Sequence, residues 1–590
     1  SMPSTSTGKT NGSTDGPSAK ASDRKKCRVC TKSHSLHKKF TYRKREYDTK
    51  EMAWLEWIKC ADCKSVFHIG CVGMQPYEQM LVASFVCEAC EKDGRKTIMK
   101  TPVQLGETTS KLGSQNWITS FLLKKTFQNP PIHRDQTLYG AIPMEDGAEF
   151  KAHFDHKRDW RAIYLIKNKS GLGLQVPPSP FGMDELVKDM KVKPEDWLEN
   201  VIDVTAQTTT RMTLDRFCSL FKNKKDRARI YNILSLEYSM TGLAEVVVPP
   251  EIYRIISLAD RYWPLNGVSD EQCDPKHHNE RPSVERYVLI GMGGSYTDFH
   301  IDFGGSSVWY HVYQGQKVFY VAPPTEKNLK LFEDYKKSDI QDTVFLGDSL
   351  DDCWKVTIDQ GNTLLIPSGY VHAVYTPVDS IVFGGNFLTL QGLEIQIAIH
   401  EMDTRRELGD IFGYPHFDTV MYYASLTLVA HLNEYCQQKS KGDDVVADYL
   451  DGAKHLVTYL NTRKEVKSRS KMEFARGLSK LQIVKKLEEA VKLAEEASKK
   501  VATTKKEGKK QENGRNEKKM AEVDREDESS AGNGMNVTMA VKKRAAAKRV
   551  KEVAPISPIG DTHTKPTRSR VRKQKEPLDT DPAKKLYRIE

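Results

Sequence analysis

Between Tyr287 and Phe387 the chain is punctuated into short runs of β-branched and aromatic residues separated by turn formers: Arg286–Met292, Ser307–Tyr313, Lys317–Val321, Asn362–Ile366, His372–Tyr375 and Ser380–Phe383. Many short strands with turns between them predict a β-barrel or sandwich. Upstream, Trp160–Ile166 has strand character, and Pro194–Asn200 reads as the start of a helix. After Phe387 the period changes. Leu393–Phe412, Thr419–Gln437, Val445–Leu460 and Leu481–Ala497 carry apolar residues at three- and four-residue intervals, so a helical cap follows the sheet. Residues 27–90 hold only small hydrophobic pieces such as Phe67, Val72 and Phe85, and residues 92–113, with Gly94, Gly106 and Gly113, read as a linker. No internal repeat is present.

Composition changes this picture at the two ends. Hydrophobic residues make up 38% of 590, below the roughly 45–50% of an ordinary globular chain, so part of the sequence is not packed. No apolar run approaches the roughly 18–20 residues that cross a bilayer and no signal-peptide core opens the chain, so membrane and secreted classes are not expected. Residues 501–590 hold 23 basic and 14 acidic side chains, which places most of the net +11 in the tail. With so few large apolar groups it is expected to be disordered. Its Lys542, Lys543, Arg544, Lys548, Arg549 and Lys551 form a basic cluster of nuclear-import or nucleic-acid type, or else a solvated charge run.

Seven of the eleven cysteines lie between Cys27 and Cys90. Without a secretory signal, such crowding favours metal over disulfides. Cys27 and Cys30, Cys60 and Cys63, His68 and Cys71, and Cys87 and Cys90 each stand in a two-residue-spaced pair, and their eight side chains match the demand of two tetrahedral structural zincs. A module this small needs the metal to fold. The order of ligands resembles a PHD finger, which implies crosswise binding: first and third pairs on one zinc, second and fourth on the other. Fingers of this family that read trimethyl-lysine use an aromatic cage. Trp57 matches a cage position, and Tyr42 and Tyr47 could add walls. Val66 stands where reader fingers usually carry Trp, and the alternative is a structural finger whose aromatics pack on a neighbouring domain.

In the β-rich region, His300 and Asp302 are two apart on an expected strand and so face one way. His372 follows seventy residues after Asp302, at the end of Ile-Pro-Ser-Gly-Tyr-Val-His. Two imidazoles and a carboxylate make the facial triad of non-haem Fe(II) oxygenases, with coordination positions left for other molecules. Gly291-x-Gly-Gly is no phosphate loop, because no helix follows it.

Tyr296–Tyr320, Asn362–His372 and Phe383-Gly-Gly-Asn-Phe together resemble a JmjC domain. From about residue 27 to 460 the chain is similar to the PHD–JmjC histone lysine demethylase subfamily. That resemblance implies a multidomain α+β protein: a disordered N-terminus (1–26), a PHD zinc finger (27–91), the linker (92–113), a JmjC double-stranded β-helix of jelly-roll type with flanking elements (114–390), a C-terminal helical domain (391–500) and the tail. It further implies iron on His300, Asp302 and His372, and 2-oxoglutarate held by Lys317 and Thr297 with a further bond from Tyr310. Asn386 and Asn232 match positions lining the active site and methyl-lysine pocket. A buried dianion needs a cation and hydroxyls, which these residues supply, although Lys317 also suits an edge strand.

The implied activity is oxidative removal of mono- and dimethyl groups from histone H3 lysines, at tail positions nine and twenty-seven, with Fe(II), 2-oxoglutarate and O2, and with the finger targeting trimethyl-lysine at position four. Implied partners are the H3 tail and nucleosome in the nucleus, with nonspecific DNA contact through the tail. The sequence carries no signal for an oligomeric state. Competing readings are an Fe(II)/2-oxoglutarate protein hydroxylase, whose alcohol product persists, and a catalytically silent chromatin reader.

Overall fold

The computed structural model describes residues 26–31, 39–42, 45–48, 56–92, 94–101, 110–127, 140–157, 160–227, 229–263, 281–406, 413–437, 445–463 and 477–499. The N-terminal stretch, Cys273, the basic tail and the side chains of Tyr42 and Tyr47 lie outside what is described.

Three small two-stranded sheets form from the N-terminal part: β1 (Lys39–Tyr42) with β2 (Arg45–Asp48), β3 (Trp57–Lys59) with β4 (Val66–His68), and β5 (Val82–Ser84) with β6 (Ile98–Met99). Ile58, Phe67, Ile69 and Phe85 pack among Cys27, Cys60 and Cys87, a small core among the described residues. Between β4 and β5 the short helix Pro76–Leu81 starts on Pro76, with Gln75 N–H donating to Glu78 Oε2 at 2.7 Å. This helix leaves the finger's own core. Tyr77 is buried in the apolar cluster of the main sheet beside Phe217 and Tyr231. Its hydroxyl accepts from Arg216 Nε at 2.7 Å, and the Gln75 amide bonds both the N–H and the hydroxyl of Thr213.

The main sheet has eleven strands: β7 (Ala141–Asp146), β8 (Ile163–Asn168), β9 (Leu198–Asp203), β10 (Thr208–Thr213), β11 (Tyr231–Glu237), β12 (Tyr287–Gly291), β13 (Ser295–His300), β14 (Ser307–Ala322), β15 (Trp354–Asp359), β16 (Thr363–Ile366) and β17 (Val371–Phe387). Their order is β10-β9-β11-β12-β17-β14-β16-β8-β7, with β13 against β17 and β15 against β14. Only β7 and β8 run parallel; every other pairing is antiparallel. Two of these strands are longer than the sequence runs suggest. Ser307–Tyr313 and Lys317–Val321 join as β14, and His372–Tyr375 and Ser380–Phe383 join as β17. Register shifts between Val312 and Val318 bend the pair. One half of β17 therefore pairs with β12 and the other with β13, while β14 meets β16 and then β15. Two long strands that each change partners along their length are the wrapped double-stranded β-helix expected above.

The helical start expected at Pro194 is a single turn, with Trp197 N–H donating to Lys193 O, after which β9 begins at Leu198. Pro and two acids imitate a first helical turn locally. Val201 and Asp203, buried at alternate positions, then require a strand. Beyond β17 come the helices Leu393–Arg405, Phe417–Gln437 and Val445–Thr462 and a helix over residues 480–499, packed around Leu393, Tyr422, Leu456 and Leu487.

Candidate metal centres and catalytic pocket

In the finger, the sulfur and imidazole ligands gather as two sets, Cys27, Cys30, His68 and Cys71, and Cys60, Cys63, Cys87 and Cys90, each with its ligand atoms within 4.8 Å of one another. These are the crosswise sets that the PHD resemblance implies. The cysteines are free thiols, with Cys30 Sγ 3.3 Å from His68 Nδ1 and Cys63 Sγ 3.7 Å from Cys87 Sγ. Backbone N–H groups of His68 and Cys87 point at Cys27 Sγ (3.3 Å) and Cys60 Sγ (3.4 Å), donors that favour thiolate. Four soft ligands per set fit structural zinc. Trp57 is half-buried, paired across the sheet with His68, their rings 4.3 Å apart.

The third set lies where β13 and β17 meet. His300 ends β13 and sits directly across from His372 at the start of β17, with ring centroids 4.2 Å apart. Asp302 is just past the end of its strand, in an extended residue leading into the turn Phe303–Gly305. Its Oδ2 is 3.7 Å from His372 Nε2, and the three ligand atoms lie within 4.8 Å. Each imidazole is turned by its Nδ1, which shares a hydrogen with a main-chain carbonyl: Asp298 O at 2.8 Å for His300 and Tyr370 O at 3.1 Å for His372. That bond places the hydrogen on Nδ1 and the lone pair on Nε2, toward the gap between the rings. Burial, then the nearby His372, holds His300 well below the usual imidazole range, and burial raises the Asp302 carboxyl. Two lone-pair nitrogens and one carboxylate around a common point fit a ferrous ion.

The loop carrying Asp302 is clamped by the helical region. Gly304 and Gly305 have φ of +59° and +62°. A Cβ on Gly304 would lie 2.7 Å from Tyr414 Cβ, and one on Gly305 would lie 3.1 Å from Ile399. Only glycine fits both the backbone and the space. Asp403, from the helix Leu393–Arg405, accepts from the Gly304 N–H, and burial pushes its carboxyl up to about 6 despite that bond and Arg406.

These groups line one cavity of about 410 Å³, a size suited to a small cosubstrate plus a side chain. Lys317 is fully enclosed in it at 2% exposure. Its Nζ donates to Thr376 Oγ1 at 2.8 Å, and burial pushes its ammonium down to about 7. No carboxylate among the described residues pairs with it. A buried ammonium facing a cavity is an anion site in waiting. Gly291 leaves the room, since a Cβ there would sit 2.8 Å from Nζ. Thr297, Tyr310, Asn232 and Asn386 line the same space. Asn232 Nδ2 is 3.4 Å from Thr297 Oγ1, while its buried Oδ1 has no hydrogen-bond partner among the described residues. Asn386 donates to Ser306 Oγ at 3.0 Å and bonds the Asp302 carboxylate.

Other lining residues escaped the sequence reading. Thr376 had a readable signal: it follows His372 and Val374 at strand period, and all three face the cavity. Asn200, Ile202 and Thr209 on β9 and β10, and Lys336, Asp403 and Arg406 from distant helices, carried none.

Residues 287–387 match the family model described as "JmjC domain, hydroxylase", and residues 391–495 match "Jumonji helical domain". Among curated proteins the chain is similar to Histone lysine demethylase PHF8 of Danio rerio, 34% identical over 74% of this chain and 41% of that protein. Lysine-specific demethylase 7A of Mus musculus is 32% identical over 74% of this chain and 45% of its own length. Lysine-specific demethylase 7B of Danio rerio is 32% identical over 68% and 67% respectively. The chain thus spans less than half of the first two relatives and two thirds of the third.

Proposed function

Since the chain belongs to the family of PHD-finger and JmjC-domain histone lysine demethylases, we propose that it oxidatively removes methyl groups from mono- and dimethylated lysines of histone H3, at tail positions nine and twenty-seven, in nuclear chromatin. The observation that carries this reading is one cavity holding both a two-imidazole, one-carboxylate set and a buried, carboxylate-free ammonium.

His300, Asp302 and His372 would hold Fe(II), which together with bound 2-oxoglutarate would supply the activation of O2. Everything else is the work of the chain. Lys317 and Thr376, with Thr297 and Tyr310, bind the distal carboxylate of the cosubstrate; an ammonium without a competing acid gives that anion its charge partner in a dry site. The carbonyls of Asp298 and Tyr370 fix both imidazoles in the ligating tautomer, and Asn386 orients the Asp302 carboxylate. Asn232 has an acceptor oxygen to spare, which suits a protonated methylammonium. The methyl carbon ends hydroxylated, and the resulting hemiaminal loses formaldehyde to water. Methyl-lysine, 2-oxoglutarate and O2 become lysine with one methyl fewer, formaldehyde, succinate and CO2.

The finger, with zinc on its two ligand sets, takes the targeting role. Trp57 is the cage wall we assign to trimethyl-lysine at position four, with Tyr42 and Tyr47 as candidate partners. Domain limits at 27–91, 114–390 and 391–500, and chromatin contact by the basic tail, belong to the same reading.

Dimethylated H3 peptides incubated with the iron-loaded chain, 2-oxoglutarate and O2 test it. Loss of a methylene mass per turnover with equimolar formaldehyde is expected. A stable gain of one oxygen would make the protein a hydroxylase, and no coupled turnover on any methylated peptide would make it a silent reader.

A further inference from the structure

Thr297 and His300 line the same cavity although they stand three apart on β13, and Tyr296 and Phe299, also three apart, share the apolar cluster behind it. A regular strand sends residues an odd number apart to opposite faces, so β13 is not regular here. Its ladder with β17 shows why. Thr297 pairs with Val374 and His300 with His372, which sets Asp298 and Phe299 against Ala373 alone. Two residues opposite one make a β-bulge, and this bulge turns His300 to the side that Thr297 already faces.

A bulge leaves its extra residue outside the ladder, so other bonds must hold it. Here the side chain of Asp298 makes them. The Tyr335 hydroxyl donates to its Oδ2 at 3.1 Å, the Tyr296 hydroxyl donates to its Oδ1 at 3.3 Å, and Lys336 Nζ lies 3.4 Å from Oδ2. The carboxylate is only 10% exposed, which strengthens each of these bonds. Tyr335 and Lys336 come from the helix Glu326–Lys337, which is itself fixed at both ends. Thr325 caps it by accepting from the Asn328 N–H at 3.2 Å, while Phe332 and Tyr335 are buried in the cluster that holds Tyr296 and Phe299. The main chain of Asp298 completes the path, because its carbonyl bonds His300 Nδ1 at 2.8 Å.

We propose that Asp298 is a positioning residue for both halves of the catalytic pocket: gripped by Tyr335 and Lys336, its carboxylate latches the bulge that brings His300 and Thr297 into one cavity. The metal ligand and the cosubstrate contact are then set by one side chain, which itself touches neither metal nor cosubstrate. A strand slipped back to regular alternation turns His300 away from the face that Thr297 occupies. The proposal rests on the iron and 2-oxoglutarate assignments above.

Binding to the full chain tests it without turnover. Mn(II) binding is counted from the paramagnetic resonance of the free ion, and 2-oxoglutarate binding is measured by calorimetry at saturating Mn(II); this hard ion avoids the thiolate sets of the finger. Asp298→Ala should weaken both affinities by about 30-fold, and Tyr335→Phe, which keeps the buried ring, by about tenfold, with zinc content and far-ultraviolet dichroism retained. Asp298→Asn keeps an oxygen that accepts from Tyr335 and should restore both to within about threefold of the unsubstituted chain. If Asp298→Ala does not fold, Tyr335→Phe decides. If the unsubstituted chain binds neither Mn(II) nor 2-oxoglutarate, the iron reading falls and the latch with it. If it binds both, then unchanged affinities in Tyr335→Phe, loss of one affinity without the other, or an Asp298→Asn chain no better than Asp298→Ala overturns the latch alone.

Discussion

A single carboxylate shows how much of this structure depends on exact pairing. Asp379, between the two halves of β17, accepts both terminal nitrogens of Arg227 at 2.8 Å and the Gly293 N–H at 2.8 Å, with Lys224 3.2 Å away. Burial alone would raise its pKa, but these donors outweigh it and bring the carboxyl down to about 2. A carboxyl below its unfolded value stabilises the fold fully above about pH 4, and that contribution is lost as pH falls through about 2. Asp379→Asn should therefore cost about 2 kcal/mol at neutral pH, by loss of charged hydrogen bonds, and progressively less below pH 4. Urea unfolding of both forms between pH 7 and 2 measures this, and a pH-independent difference would contradict it. At this scale the sequence was legible where chemistry repeats at short spacing: the cysteine pairs, and His300 with Asp302, announce themselves. Asp379 with Arg227, or Lys317 with Thr376, pair across 59 or more positions and depend on a register that no local pattern records.

Among the elements, the strand runs were readable and their continuity was not. β14 and β17 look like four strands because the bulges between Val312 and Val318 interrupt the alternation that marks a strand. Those bulges are what bend the pair so that His372 returns to face His300. The helix Leu393–Arg405 was equally readable from its period, yet its purpose was hidden, because it acts on a turn ninety residues upstream. Gly305→Ala tests that clamp. An alanine at φ +62° and 3.1 Å from Ile399 must shift the turn that presents Asp302. The affinity for Mn(II), followed by quenching of intrinsic fluorescence, should fall about tenfold while the far-ultraviolet dichroism is retained. An unchanged affinity would mean that the helix packs on the loop without positioning it.

Over the whole molecule, the joint at Tyr77 is the least foreseeable feature and has the widest reach. The sequence left open whether the finger touches the barrel; one of the finger's aromatic rings is 3% exposed inside the barrel's apolar cluster. Tyr77→Ala should lower the stability of the barrel by about 3 kcal/mol, read from the unfolding of the tryptophan-rich sheet, while zinc content stays at two per chain. A barrel indifferent to this change would show that the two parts fold independently. Because the joint is packed on both sides, the gap between Trp57 and the His300, Asp302 and His372 set is a built dimension, like the jaws of a caliper. A flexible tether would let two marks on one tail cooperate at almost any spacing, with a strength that declines smoothly as the intervening chain lengthens. On the function proposed above, a caliper rejects every pair whose contour is too short to span it, so dependence on mark spacing should show a threshold, below which the two marks must come from different tails.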